Sequence, residues 1–183
     1  NTPLREQLRV ATAADREYLL AAPVISEALV GRISRTRYLA FLTQAWHHVR
    51  HTVPLLMAVG ARLPDRHTKL QKGLIHYLEE EVGHDDWILN DIEAAGGDRH
   101  AAAASVPNVE TDAMVAYAWD TVTRGNPVGF FGMVHVLEGT SVALALHAAD
   151  RIQGKLRLPD EAFTYLRSHG LLDREHTKHL ASL

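Results

Sequence analysis

Apolar residues recur every three or four positions along most of this 183-residue chain, which is the spacing of one face of an α-helix. No stretch alternates between apolar and polar residues for long enough to indicate a β-strand. The pattern therefore predicts an all-α bundle of six to eight helices. The length of the chain favours a single domain over residues 1–183.

Prolines, glycines and capping residues divide this pattern into separate helices. Ser34, Asp65 and Asp160 are placed to cap three of them. Pro54 is expected to kink the helix that begins at Ser34. The predicted helices span about residues 3–22, 34–60, 65–96, 109–124, 127–153 and 160 onwards, with a short segment before Gly31 and a loop over 98–108.

Glu81 lies near the centre of the apolar face of the predicted helix over 65–96, between Tyr77 and Ile88. His84 follows three positions later, at the edge of the same face. Because burial of an unpaired carboxylate costs several kcal/mol, Glu81 is expected to need a cation, a proton or a network of donors.

Glu138 is the only acidic or basic residue in the apolar stretch from Gly125 to Ala149. Its helical neighbours, among them Val134 and Ala145, are apolar, so Glu138 is expected to face the core. The stretch is long enough to cross a membrane, but an acid and two histidines within it favour a buried helix of a bundle.

The closing segment "SHGLLDREHTKHLASL" is rich in potential metal ligands. His169, Asp173 and His176 stand at positions i, i+4 and i+7, so a helix would point all three side chains the same way. His179 falls to one side of that face, and Gly170 weakens the helix locally.

Three predicted helices thus offer acids and imidazoles towards a core. These residues are Glu81, His84, Glu138, His169, Asp173 and His176. Three carboxylates and three imidazoles suit two iron or manganese ions, with zinc as an alternative. Any one of these histidines taken singly is better explained as a hydrogen-bonded core residue, and it is their convergence from three helices that favours a metal.

A second cluster, "AWHHVRHTVP", contributes His47, His48 and His51. Helical spacing favours His48 or His51 as the side chain that faces the pocket, with His47 as the alternative. For each, a role in the core or behind the metal ligands is as well supported as ligation. Tyr77 and His135 are further candidates for the pocket wall or for support of the ligands.

Composition excludes several classes of protein. The net charge is −3 and no basic stripe is present, so nucleic acids are not expected partners. With no cysteine, the chain has no disulfide, thiolate metal site or cysteine nucleophile. The sequence begins without a recognisable signal peptide, so we expect a cytoplasmic protein that is not embedded in a membrane.

The order of "YLAFLTQAWHHVRHTVPLL", "HYLEEEVGHDDW", "HVLEG" and "HGLLDREHTKHL" resembles the haem-oxygenase-like superfamily from about residue 34 onward. That group includes TenA-like proteins, PqqC-like oxidases and haem-oxygenase-like diiron oxidases. The spacing of the acids and histidines is most similar to the diiron oxidase branch. The resemblance implies a haem-oxygenase/TenA-like bundle with metal ligands Glu81, His84, Glu138, His169, Asp173 and His176.

The resemblance also implies an activity. Two Fe ions, with Mn as an alternative, would react with O2 and oxidise a small organic substrate. Glu81, Glu138 and Asp173 would take part in catalysis as carboxylates that stabilise the oxidised metals. A homodimer is the expected assembly. The family commonly has another helix after the last ligand, whereas this sequence stops at Leu183, so that helix is expected to be missing.

Two other interpretations fit part of the sequence. A metal-free TenA/PqqC-like protein that binds or salvages a small molecule would use the same acids and histidines as hydrogen-bonding groups. An HD-type metal phosphohydrolase would use the dipeptide His84-Asp85, but it leaves Glu138 and the closing histidines without a role.

Overall fold

A computed structural model describes residues 4–168 of the chain, apart from the side chains of residues 4, 5, 142 and 143. Within that range the chain is all-α, as predicted, but it forms ten α-helices rather than six to eight. The helices are α1 (Leu4–Ala11), α2 (Ala13–Leu20), α3 (Pro23–Leu29), α4 (Arg35–Val49), α5 (Thr52–Arg62), α6 (Thr68–Glu81), α7 (His84–Ala94), α8 (Arg99–Ala103), α9 (Val109–Thr123) and α10 (Phe130–Leu156). A 3-10 turn at Asp160–Phe163 leads into a helical stretch at 164–168.

The predicted helix over 34–60 is broken between α4 and α5, at Arg50 and His51. Pro54 lacks a backbone N–H, and its ring would clash with the carbonyl of Arg50, four residues earlier. The kink expected at Pro54 therefore falls one turn upstream of it, as a break. The break places His51 at the start of α5 instead of within one continuous helix.

The predicted helix over 65–96 is also divided, between Glu81 and His84. Gly83 stands between the two halves with φ 90° and ψ 0°, a left-handed conformation that glycine adopts far more readily than other residues. The start of α6 is preceded by a 3-10 turn, Asp65–His67, so Asp65 does not cap α6.

Two predicted caps have different outcomes. Ser34 caps α4 as predicted, because its hydroxyl oxygen accepts a hydrogen bond from the Arg37 amide. Asp160 does not cap the helical stretch after it, since its carboxylate accepts hydrogen bonds from Gln153 and Arg167 instead.

The loop predicted over 98–108 contains α8, and α10 continues beyond Gly154 to Leu156.

The buried apolar residues form two clusters. The first is centred on the packing of α4 against α7 and includes Tyr38, Ile88 and Phe163. The second joins α5, α6, α9 and the start of α10, and it includes Leu56 and Phe130. A cavity bordered by residues of both clusters lies within the bundle.

Among the described helices, none is by itself both long and apolar enough to span a membrane. Two segments inclined by 47°, Pro127–Ser141 and Leu144–Leu156, meet that test only when taken together, and only by length and composition.

Candidate metal centre

The cavity has a volume of about 330 Å³, and most of its described wall is apolar. One continuous stripe of α10 lines it, from Phe130 to Ile152. Two acids, Glu81 and Glu138, stand on this wall together with Tyr77 and His48. A pair of carboxylates in a largely apolar cavity is the feature that sets this region apart from an ordinary core.

Glu81 and His84 meet across the joint between α6 and α7. Glu81 is 5% exposed and His84 is 1% exposed, and the Nδ1 atom of His84 lies 3.2 Å from the Oε2 atom of Glu81. The expected burial of Glu81 is therefore found, although the two residues end and begin different helices. Asp85, the next residue along, is only partly buried.

Glu138 lies on the middle part of α10 and is 7% exposed, as expected for the lone acid of an apolar helix. Its Oε1 atom accepts a hydrogen bond from the hydroxyl of Tyr77. Tyr77 precedes Glu81 by four residues on α6, so the two side chains lie on the same side of that helix. The tyrosine thus ties the acid of α10 to the helix that carries the other acid.

The three histidines of the second cluster point in different directions. His48 lies on the cavity wall. His47 instead lies 2.8 Å from the Ser105 hydroxyl through Nε2, and the Nδ1 atom of His51 accepts a hydrogen bond from the indole of Trp119 at 3.3 Å. Of the three, the structure brings only His48 to the cavity.

The pKa values of His47 and His51 are both lowered. Burial is the larger cause for each, and the positive charge of Arg50 adds to it. Both imidazoles are accordingly neutral near pH 7. His135, one turn before Glu138, is partly buried but is not among the residues that line the cavity.

Three of the predicted ligands, His169, Asp173 and His176, lie outside the described residues, as does His179. The helical stretch that precedes them borders the cavity, because Tyr165 and Leu166 form part of its wall.

Asp91 is a buried acid that sequence reasoning missed. It is 0% exposed, and its carboxylate accepts hydrogen bonds from the backbone amides of Thr164 at 3.1 Å and Tyr165 at 2.8 Å. Burial raises its pKa to about 6, outweighing the hydrogen bonds that lower it. The signal in the sequence was its position between Ile88 and Ile92 on the apolar face of the helix.

The described residues supply part of the set of ligands that an iron site needs. Glu81, His84 and Glu138 supply carboxylate and imidazole groups, which suit iron or manganese. Within residues 4–168, however, no group of three or more His, Cys, Asp or Glu side chains is close enough to hold a metal ion. The described residues thus contain only part of the ligand set that the sequence predicts.

Comparisons with known proteins bear on both the fold and the family. A family model described as "iron-containing redox enzyme" matches residues 39–183. None of the curated proteins matches the sequence significantly.

Two solved structures share the architecture. A domain of unknown function with a haem oxygenase-like fold from Shewanella denitrificans has a TM-score of 0.85 at 24% identity, covering 100% of this chain and 78% of that one. A TenA homologue from Pseudomonas syringae pv. tomato has a TM-score of 0.76 at 13% identity, covering 97% of this chain and 80% of that one. The haem-oxygenase-like fold expected from the sequence is thus confirmed.

Proposed function

Since the chain belongs to the family of iron-containing redox enzymes, we propose that it is a non-haem diiron oxidase or oxygenase that uses O2 to oxidise a small organic substrate. The observation that carries this proposal is the pair of buried acids, Glu81 and Glu138, on the wall of one largely apolar cavity. His84 supports it as an imidazole 3.2 Å from the first acid.

The proposed ligand set combines described residues with residues further along the chain. Glu81, His84 and Glu138 would hold the metals from α6, α7 and α10. His169, Asp173 and His176, which lie outside the described residues, would complete the set. They follow the wall residue Tyr165 by four, eight and eleven positions, the spacing of one face of an α-helix.

Two Fe(II) ions bound in this way, or Mn(II) as an alternative, would each supply one electron to O2. The substrate would supply two more, and a separate reductant would return the oxidised metals to the divalent state. The carboxylates of Glu81 and Glu138 would balance the additional positive charge that the metals carry after oxidation. The apolar wall would limit the access of water to the reaction, and the hydrogen bond from the Tyr77 hydroxyl would orient one Glu138 oxygen.

Anaerobic reconstitution with Fe(II), followed by desalting and metal analysis, tests this proposal. We expect about two irons per chain and iron-dependent O2 consumption. The substitution Glu138→Gln should reduce both, because an amide is a poorer iron ligand than a carboxylate. The matched control is Glu79→Gln on the exposed side of α6, which should retain both irons. Folded wild-type protein that binds no iron under these conditions would overturn the proposal.

The second candidate is a metal-free protein that binds a small organic molecule, as the TenA-like alternative implies. The observation behind this candidate is the cavity itself, whose volume of about 330 Å³ and apolar wall suit an organic ligand without need of a metal. Native mass spectrometry of freshly purified protein separates the two candidates. An organic adduct together with failure to bind iron would support the metal-free protein.

A further inference from the structure

Asp91 joins α7 to the helical stretch at 164–168, whose residues Tyr165 and Leu166 border the cavity. It lies on α7, whose first residue is His84, and it binds the backbone of Thr164 and Tyr165 through both carboxylate oxygens. Asp91 follows His84 by seven positions, a distance of about 10 Å along the helix axis. A single short helix therefore fixes both the imidazole and the start of the stretch that continues into the closing segment.

The acceptor is unusual for a helix start because it comes from another helix. The first amides of a helix have no partner within it, and a side chain just before the helix commonly accepts from them. Here Asp160, the acid that the sequence predicts as the cap, is engaged with Gln153 and Arg167 instead. The buried carboxylate of Asp91 takes its place.

A second contact holds the same stretch against the bundle. The hydroxyl of Tyr38 on α4 donates a hydrogen bond of 2.6 Å to the carbonyl of Ala162, and its ring stacks on Phe163 with centroids 5.2 Å apart. Two buried polar side chains, Tyr38 and Asp91, thus determine where the stretch begins and leave Tyr165 on the cavity wall.

We infer that Asp91 is a positioning residue of the proposed iron centre: it fixes the helical stretch at 164–168, which precedes His169, Asp173 and His176 in the sequence, relative to His84. This inference rests on the proposed function, because it concerns how the ligands of that centre are brought together. Asp91 itself would not touch the metals. Its effect would pass through the backbone amides that it binds.

Iron binding by Asp91→Ala tests the inference, with Asp98→Ala as the matched control. Asp98 also accepts two backbone amide hydrogen bonds, both of 2.9 Å, but it is exposed and caps α8. Affinity should be measured by anaerobic Fe(II) titration against a competing chelator, well below the unfolding temperature of each variant. We expect Asp91→Ala to bind iron about tenfold more weakly or to lose one iron, and Asp98→Ala to match wild type.

The outcomes separate the two proposals. A purely structural role would lower the unfolding temperature of Asp91→Ala while leaving its iron affinity unchanged, and that result would overturn the positioning role alone. Wild-type protein that binds no iron would overturn the proposed function and this inference together. If Asp91→Ala does not fold, Asp91→Asn decides in its place, because it keeps the shape of the side chain and one acceptor oxygen.

Discussion

The joint between α6 and α7 is expected to depend on Gly83, and the substitution Gly83→Ala tests this. The glycine has φ 90°, and a Cβ atom built on it would meet no atom within 4 Å. The cost of alanine is therefore backbone strain and not a clash. A left-handed conformation costs an L-residue about 1–2 kcal/mol, and lower entropy of the unfolded chain returns about 0.4–1 kcal/mol. We expect a net destabilisation of about 1 kcal/mol.

A substitution at a second glycine serves as a control, because its expected effect on stability is the opposite. Gly154 lies within α10, and a Cβ atom there also meets nothing within 4 Å. Alanine is favoured over glycine inside a helix by about 0.5–1 kcal/mol, so Gly154→Ala should stabilise the protein. Urea unfolding curves give both values, and the unfolding temperature should fall by about 2–4 °C for Gly83→Ala.

The order of stability among variants at residue 83 makes the test sharper. Asparagine tolerates the left-handed conformation better than alanine does, so the expected order is glycine, then asparagine, then alanine. If Gly83→Ala is as stable as wild type, or if asparagine is worse than alanine, the argument from backbone conformation is wrong.

Two further predictions concern buried polar groups that anchor the stretch before residue 168. Because the pKa of Asp91 is raised to about 6, its contribution to stability is complete below its unfolded pKa and is lost as pH rises through 6. The stability of wild type relative to Asp91→Asn should therefore fall by at most about 3 kcal/mol between pH 4 and 7.5 in urea titrations. The amides that exposed Asp98 binds lower its pKa, so its contribution to stability should instead be lost in acid. If the stability difference between wild type and Asp91→Asn does not change with pH, the reasoning is wrong. Tyr38→Phe should destabilise by about 1–2 kcal/mol, because the Ala162 carbonyl loses its buried donor, whereas Tyr18→Phe, at a side chain 86% exposed, should be neutral in the same assay.

Helical periodicity was enough to predict the all-α class and the burial of both cavity acids, whereas the haem-oxygenase-like fold was expected from the resemblance. Glu138 is the lone charge of a long apolar stretch, and Glu81 lies between apolar residues at helical spacing, so each signal is local to the sequence. Glu81 and His84 were expected on one face of a continuous helix. They do lie close together, but the chain turns at Gly83 between them instead of continuing as one helix.

Other features depend on contacts that sequence spacing does not contain. The break at Arg50 and His51 shifts the helical phase, so spacing alone did not decide which of the clustered histidines reaches the cavity. Asp91 was missed because its partners, the amides of Thr164 and Tyr165, lie more than seventy positions away in the chain. A buried acid with distant backbone partners leaves only a weak trace in local periodicity.

The stripe of α10 that lines the cavity gives the cavity a direction. The stripe runs from Phe130 to Ile152 and includes Glu138, so wall positions along α10 differ in their distance from that acid. Ala145 and Ala148 line the cavity about two and three turns beyond Glu138. Enlarging either side chain would therefore reduce the space for a ligand without altering the acid itself.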